Sequence, residues 1–203
     1  ESGLKVDFLN AGEVITAYEY VHSGDSLYIR MPLFDSEFCG LISDSGATYS
    51  GKWMNYGRGK DYALNFTARH GQDFRFCSIE EGIPPSPIDT KWEVHFSPDS
   101  VNDHYAAIGM FEASEKDNRI TGTFMTETGD YRFLEGNVCE DKFLLSCFDG
   151  SHAFLFIADW DGKTIRNGVF KSGRHWTEPW TAIPNPTFEL TNPDDLTVVE
   201  EIG

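Results

Sequence analysis

Hydrophobic and polar positions alternate at period two along most of this chain, in short runs separated by glycine, proline, asparagine and aspartate. That is the pattern of half-buried β-strands joined by tight turns. Leu4 to Leu9 alternates before the turn Asn10-Ala11-Gly12, and Glu13 to Val21 mixes Val, Ile and Tyr with Thr and Glu as a single half-exposed strand. Ser23-Gly24-Asp25 turns the chain into Leu27 to Met31, which Pro32 stops. From Phe34 to Cys39 the alternation weakens, Gly40-Leu41-Ile42 is short, and Ser43 to Gly46 is again turn chemistry. Thr48 to Met54 places Tyr49, Gly51 and Trp53 on alternate positions, which predicts a strand with a closely approached glycine. Asn55 to Lys60 reads as a loop carrying basic residues, and Tyr62 to Arg69 as a strand.

Ile83-Pro84-Pro85-Ser86-Pro87-Ile88 is the clearest break, an extended connector of polyproline type. Lys91 to Phe96 resumes the same strand vocabulary, so the connector reads as a long loop inside one domain spanning 1–190. Tyr105 to Glu112 leads into a central series: Ile120 to Thr126, Tyr131 to Val138, Phe143 to Phe148 and His152 to Ala158. The links between them are too short for crossover helices, so these strands are expected to pair antiparallel in sequential order. Asp149-Gly150 has the composition of a tight hairpin turn, with Gly150 at positive φ. Lys171 to Trp180 is expected to form an ordered loop whose Trp176 and Trp180 cap the core, and 191–203 an acidic linker punctuated by proline. The fold class is therefore all-β, an antiparallel meander bent into a closed or nearly closed barrel of lipocalin or avidin type, with an open β-sandwich as the alternative.

Composition adds an aromatic core, since 16 Phe, 8 Tyr and 5 Trp suit a pleated surface. Charge removes some functions. With 33 acidic against 16 basic residues the formal net charge is -17, which repels nucleic acid and anionic lipid surfaces. The longest apolar run, near Ala153 to Ala158, falls far short of the roughly 20 residues of a membrane helix. The chain opens at Glu1 with no signal peptide or initiating methionine, which suggests a trimmed N-terminus. Cys39, Cys77, Cys139 and Cys147 form no CxxC pair and no metal-type spacing with histidine, so free thiols are expected, with a disulfide between distant strands the alternative. No metal and no cofactor is implied.

Candidate chemistry gathers on the central strands. Asp130, Arg132 and Glu135 lie beside or along one strand, close to Asp149 and His152 of the next hairpin, and such a set can hold a polar ligand or move protons. Structural ion-pair networks assemble the same groups, and Arg132 is expected to pair with Asp130, Glu135 or Asp149 at the rim or inside of the barrel. Glu127 with Asp130 or Glu135 is a weak glycosidase pair. Trp53 and Trp92 are expected in the core, while Trp176 and Trp180, in a polar loop, could stack on a sugar. The binding candidates are thus Arg132, Asp149, His152, Trp176 and Trp180, and no residue is assigned a catalytic role. Asn65-Phe66-Thr67 matches the glycosylation acceptor pattern, which in a strand is expected by chance.

The string Ile120 to Gly136 (ITGTFMTETGDYRFLEG) followed by Leu145 to Phe156 (LSCFDGSHAFLF) resembles the N-terminal region of TlpA-like thioredoxin-family proteins of Bacteroidetes type, related to the AhpC/TSA group. Gly24 to Leu27, Gly51-Lys52-Trp53, Lys91 to Phe96, Ser172 to His175 and Leu196-Thr197 follow in the order of that region. In that family the region precedes a redox domain with a CxxC motif, which this chain lacks. The resemblance therefore implies a non-catalytic accessory β-domain that positions the redox domain or recognises its client. It transfers no catalytic residue, and it implies an extracytoplasmic location, periplasmic or lipoprotein-anchored. The expected partners are the protein's own C-terminal thioredoxin-like domain and a protein client or small ligand. A small-ligand or glycan-binding barrel and a hydrolase built on the acidic cluster are the alternatives.

Overall fold

The computed structural model describes residues 5–78 and 88–191. The proline connector, apart from Ile88, and the acidic tail beyond Thr191 lie outside the described residues. Strands β1 (Val6–Asn10) and β2 (Glu13–Ala17) form a hairpin. β3 (Tyr20–Ser23), β4 (Ser26–Arg30), β5 (Ser36–Ser43), β6 (Thr48–Asn55) and β7 (Ala63–Arg69) make an open, sequentially paired five-stranded sheet. The remaining strands are β8 (Lys91–Phe96), β9 (Tyr105–Ala113), β10 (Arg119–Thr126), the two-residue β11 (Gly129–Asp130), β12 (Leu134–Cys139), β13 (Lys142–Phe148), β14 (Ala153–Trp160), β15 (Ile165–Ser172) and β16 (Trp176–Pro184). Apart from β11 they pair antiparallel in order, and β16 returns to β8, which pairs with β9, which pairs with β10. The meander is a closed barrel of eight strands with β11 as an extra. Closure removes the unpaired edges that a sheet of this length otherwise exposes.

Alternation fills the barrel. Inward positions of β8, Trp92, Val94 and Phe96, are all 0% exposed, as are Phe124, Phe143, Leu145, Phe156, Ile165 and Trp180 from the strands around it. Phe156 and Phe170 stack at 4.4 Å between centroids, and Phe124 meets Phe156 at 4.7 Å. Each such side chain contributes roughly 1.5–3 kcal/mol of burial free energy. Gly136 lets β12 lie against β13, because a Cβ there would stand 1.8 Å from the Leu144 carbonyl oxygen.

The open sheet packs its own smaller core, including Leu27, Ile29, Phe38 and Trp53, against the outer side of Phe148 and Ala153. Phe8 from the β1–β2 hairpin stacks on Phe38 at 5.1 Å. Polar groups complete the joint. Buried Asn10 donates from Nδ2 to the Phe148 carbonyl and accepts the Phe148 N–H, imitating a strand partner. Asn55 donates to the Ser151 carbonyl at 2.8 Å, and Ser36 Oγ donates to the Gly150 carbonyl.

Several expectations need correction. Glu13 to Val21 is two strands, since Ala17 still pairs with Val6 while Tyr20 pairs with Ile29 in another sheet. Phe34 to Cys39 hides the start of the long strand β5, whose partners on both sides override its weak pattern. Lys171 to Trp180 is no loop but the β15–β16 hairpin, with only Gly173, Arg174 and His175 between strands, so Trp180 sits inside the barrel rather than in a cap. The Asp149-Gly150 turn spans the four residues Asp149 to His152 between β13 and β14, with Gly150 at φ +91° as expected. Cys77 and Cys139 form a disulfide, because the chain after β7 returns to the end of β12; Cys39 and Cys147 are free. Among the described residues no helix is long and apolar enough to cross a membrane.

Candidate functional site

One end of the barrel gathers the candidates, because the β8–β9, β10–β12, β13–β14 and β15–β16 connections all emerge there. Arg132 owes its place to a bulge. Between the pairs Met125↔Asp130 and Gly122↔Leu134, β10 advances three residues while its partner advances four, and the surplus is absorbed with Arg132 at φ +58°. Arg132 is thus in a break between β11 and β12, not within the strand expected from Tyr131 to Val138, and the bulge re-aims its side chain outward. The guanidinium donates to Glu13 Oε1 from the β1–β2 hairpin and stands 3.9 Å from Asp149 Oδ2. Asp130 accepts the Arg132 backbone N–H, and Glu135 faces Arg75 and Arg119 and accepts the Ala11 N–H at 2.8 Å.

Asp149 is the hub of this cluster. It is 3% exposed, accepts backbone N–H groups from Ser151 at 2.8 Å and His152 at 2.6 Å on Oδ1, and meets His152 Nδ1 at 3.0 Å on Oδ2. Burial pushes its carboxyl up, but the hydrogen bonds from the His152 ring and the two amides outweigh it and hold the group below the ordinary aspartate value. Three of the four lone-pair directions of Asp149 are therefore committed to holding the turn. Among the described residues the ion pairs of Arg132 are with Asp149, one of the expected partners, and with Glu13, which was not expected.

The other two candidates part company. Trp176 opens β16 and is 49% exposed, while Trp180, four residues on, is 0% exposed and packs on Phe96 and Phe124. Trp180 belongs to the core. Trp53 and Trp92, expected there, are 2% and 0% exposed. Beside Trp176 the β15–β16 turn meets the open sheet: Arg58 Nη1 lies 3.0 Å from His175 Nε2, and Tyr62 Oη 3.1 Å from His175 Nδ1. Burial, then the charges of Arg58 and His152, push the His175 pKa down. Asn65 is exposed on the outermost strand β7.

Sequence reasoning missed Glu13, Glu178, Tyr105 and the second wall of this end. Glu178 shares the parity of Trp180 and Ala182, so a strand reading of β16 points it inward. Glu13 gave no local signal, since it reaches Arg132 across 119 positions of sequence. Among the described residues no group of three or more His, Cys, Asp or Glu is arranged to hold a metal ion. Comparison with protein-family models, with curated proteins and with solved structures found no match to this chain.

Proposed function

We propose that this chain is a non-catalytic accessory β-domain of an extracytoplasmic thioredoxin-like thiol-disulfide oxidoreductase, a rigid module that positions the redox domain or presents a face to its client. The observation that carries the reading is the filled interior: aromatic side chains occupy the space in which a lipocalin-type barrel holds its ligand. The thiols support it. Burial, with Glu37 nearby, pushes Cys39 up to about 11, and burial, with Asp149 and Glu13 nearby, pushes Cys147 up to about 12, so neither offers the thiolate that exchange requires. The Cys77–Cys139 disulfide suits an oxidising compartment such as the periplasm.

The test has two arms. The coding sequence is extended past Gly203 and the longer product compared with this chain in insulin reduction. A thioredoxin pattern with CxxC in the extension, with reduction by the longer product only, is the expected result. Turnover by this chain alone at a rate comparable to a thioredoxin, or an extension with no such pattern, would sink the proposal.

A further inference from the structure

The loop-bearing end of the barrel holds a carboxylate that the accessory role does not use. Glu178 on β16 is 5% exposed, and its partners are neutral hydroxyls: Ser97 Oγ donates to Oε2 at 3.1 Å and Tyr105 Oη donates to Oε1 at 2.9 Å. None of the ion pairs among the described residues includes it. A buried anion without a cation is costly, and its field is little screened.

That field has an outlet. Tyr105 Oη stands 2.8 Å from Tyr131 Oη. Because the Tyr105 proton is committed to Glu178, Tyr131 is the donor of this contact, and the protons run in one direction, Tyr131 to Tyr105 to Glu178. The Tyr131 oxygen is left with lone pairs and no proton to offer outward. Tyr105 and Tyr131 in turn line a groove of about 640 Å³ between His104–Ala106 and Thr126–Tyr131.

His104 lines the same wall as Tyr105. Glu93 Oε1 meets His95 Nε2 at 2.9 Å, and His95 Nδ1 stands 2.9 Å from His104 Nε2. Glu127 and Asp130 complete the lining, which contains neither Lys nor Arg.

We propose that this groove binds a primary alkylammonium, with an aliphatic polyamine as its ligand. An ammonium group brings donors and a positive charge to a wall built of acceptors backed by a carboxylate, and its methylenes lie along the tyrosine rings. The site opens at the end of the filled interior, against which Tyr105 and Tyr131 pack, and stands whether or not a redox partner exists.

Calorimetric titration of the chain with spermidine at physiological salt tests it, since an acidic protein attracts polyamines loosely everywhere and salt screens that background. One saturable site is expected. Glu178→Gln and Tyr131→Phe should each weaken it by about tenfold, as loss of a charge-assisted contact does. Where Glu178→Gln does not fold, the exposed pair Glu127→Gln with Asp130→Asn, outside the core, should weaken binding by about threefold or more on the same reasoning. An acetylated and amidated lysine peptide serves as a second titrant: tighter binding than spermidine assigns the headgroup to a partner's side chain and overturns the polyamine assignment. No saturable site, or one indifferent to all these substitutions, overturns the proposal.

Discussion

The closed barrel and the open sheet β3–β7 are written in the same strand vocabulary, yet they bury their residues very differently. In the barrel each strand has two neighbours, and inward side chains from all sides meet, so Trp92, Phe96, Phe143 and Trp180 reach 0% exposure. The open sheet ends on β3, whose four residues are all exposed, and on β7, where Phe66 is half-buried. One face of that sheet is left to water, and the other depends on borrowed surface from Phe8, Phe148 and Ala153. Closure thus concentrates stability in one body, and the second body draws its stability from docking on the first.

The largest test of that contrast is a pair of truncations. Trp180→Ala should cost about 3–5 kcal/mol, because the surrounding rings cannot collapse onto the void. Phe66→Ala, at a surface that already meets solvent, should cost about 1–2 kcal/mol. Urea midpoints for the two variants measure the difference, and equal losses would break the comparison.

Next comes the covalent tie between the bodies. Cys77 follows the open sheet and Cys139 ends β12, 62 positions later, so Cys77→Ser with Cys139→Ser should cost about 2–4 kcal/mol by freeing the unfolded chain. Thermal unfolding with and without reductant reads this: reductant should lower the melting temperature of the parent and leave that of the double variant unchanged.

Gly150 sharpens the joint itself. At φ +91° a side chain is strained, and a Cβ would also stand 2.9 Å from Met31 Cε of the open sheet. Gly150→Val should destabilise by about 1–3 kcal/mol, and an unshifted melting midpoint would contradict the docking role of this turn.

Arg132 links the barrel bulge to the β1–β2 hairpin, but its side chain is 42% exposed, so solvent screens its pairs. Arg132→Met should cost about 1 kcal/mol or less. A loss of several kcal/mol would mean that the hairpin depends on this ion pair rather than on Phe8 and Asn10.

The smallest effect is expected in acid. The Asp149 carboxyl is held below its ordinary value of 3.8, so it stabilises the fold above that pH and the contribution is lost as pH falls through the lower folded value. Stability should decline below about pH 4 more steeply in the parent than in Asp149→Asn. Matching pH profiles would show that the turn does not depend on the charge.

Much of the barrel was legible from periodicity alone. Lys91 to Phe96 and Tyr105 to Ala158 alternate strongly and are separated by turn residues, and those local signals dictate antiparallel neighbours in order. They determined an all-β class, the meander, a positive φ at Gly150 and the burial of Trp92 and Trp53, which the structure places in two separate cores. The hairpin Lys171 to Trp180 was illegible because Arg174, His175 and Trp176 look like loop chemistry until β14 and β8 are in place to pair with β15 and β16. What only the tertiary structure decided are the contacts across long stretches of chain: the Cys77–Cys139 bond, the division into a closed and an open sheet, the bulge that turns Arg132 toward Glu13, and the relay from Tyr131 through Tyr105 to Glu178. The physical reason is range. Alternation and turn chemistry act over a few residues, whereas the partner of a charge or thiol is chosen by the packing of strands distant in sequence, and no local pattern encodes that choice.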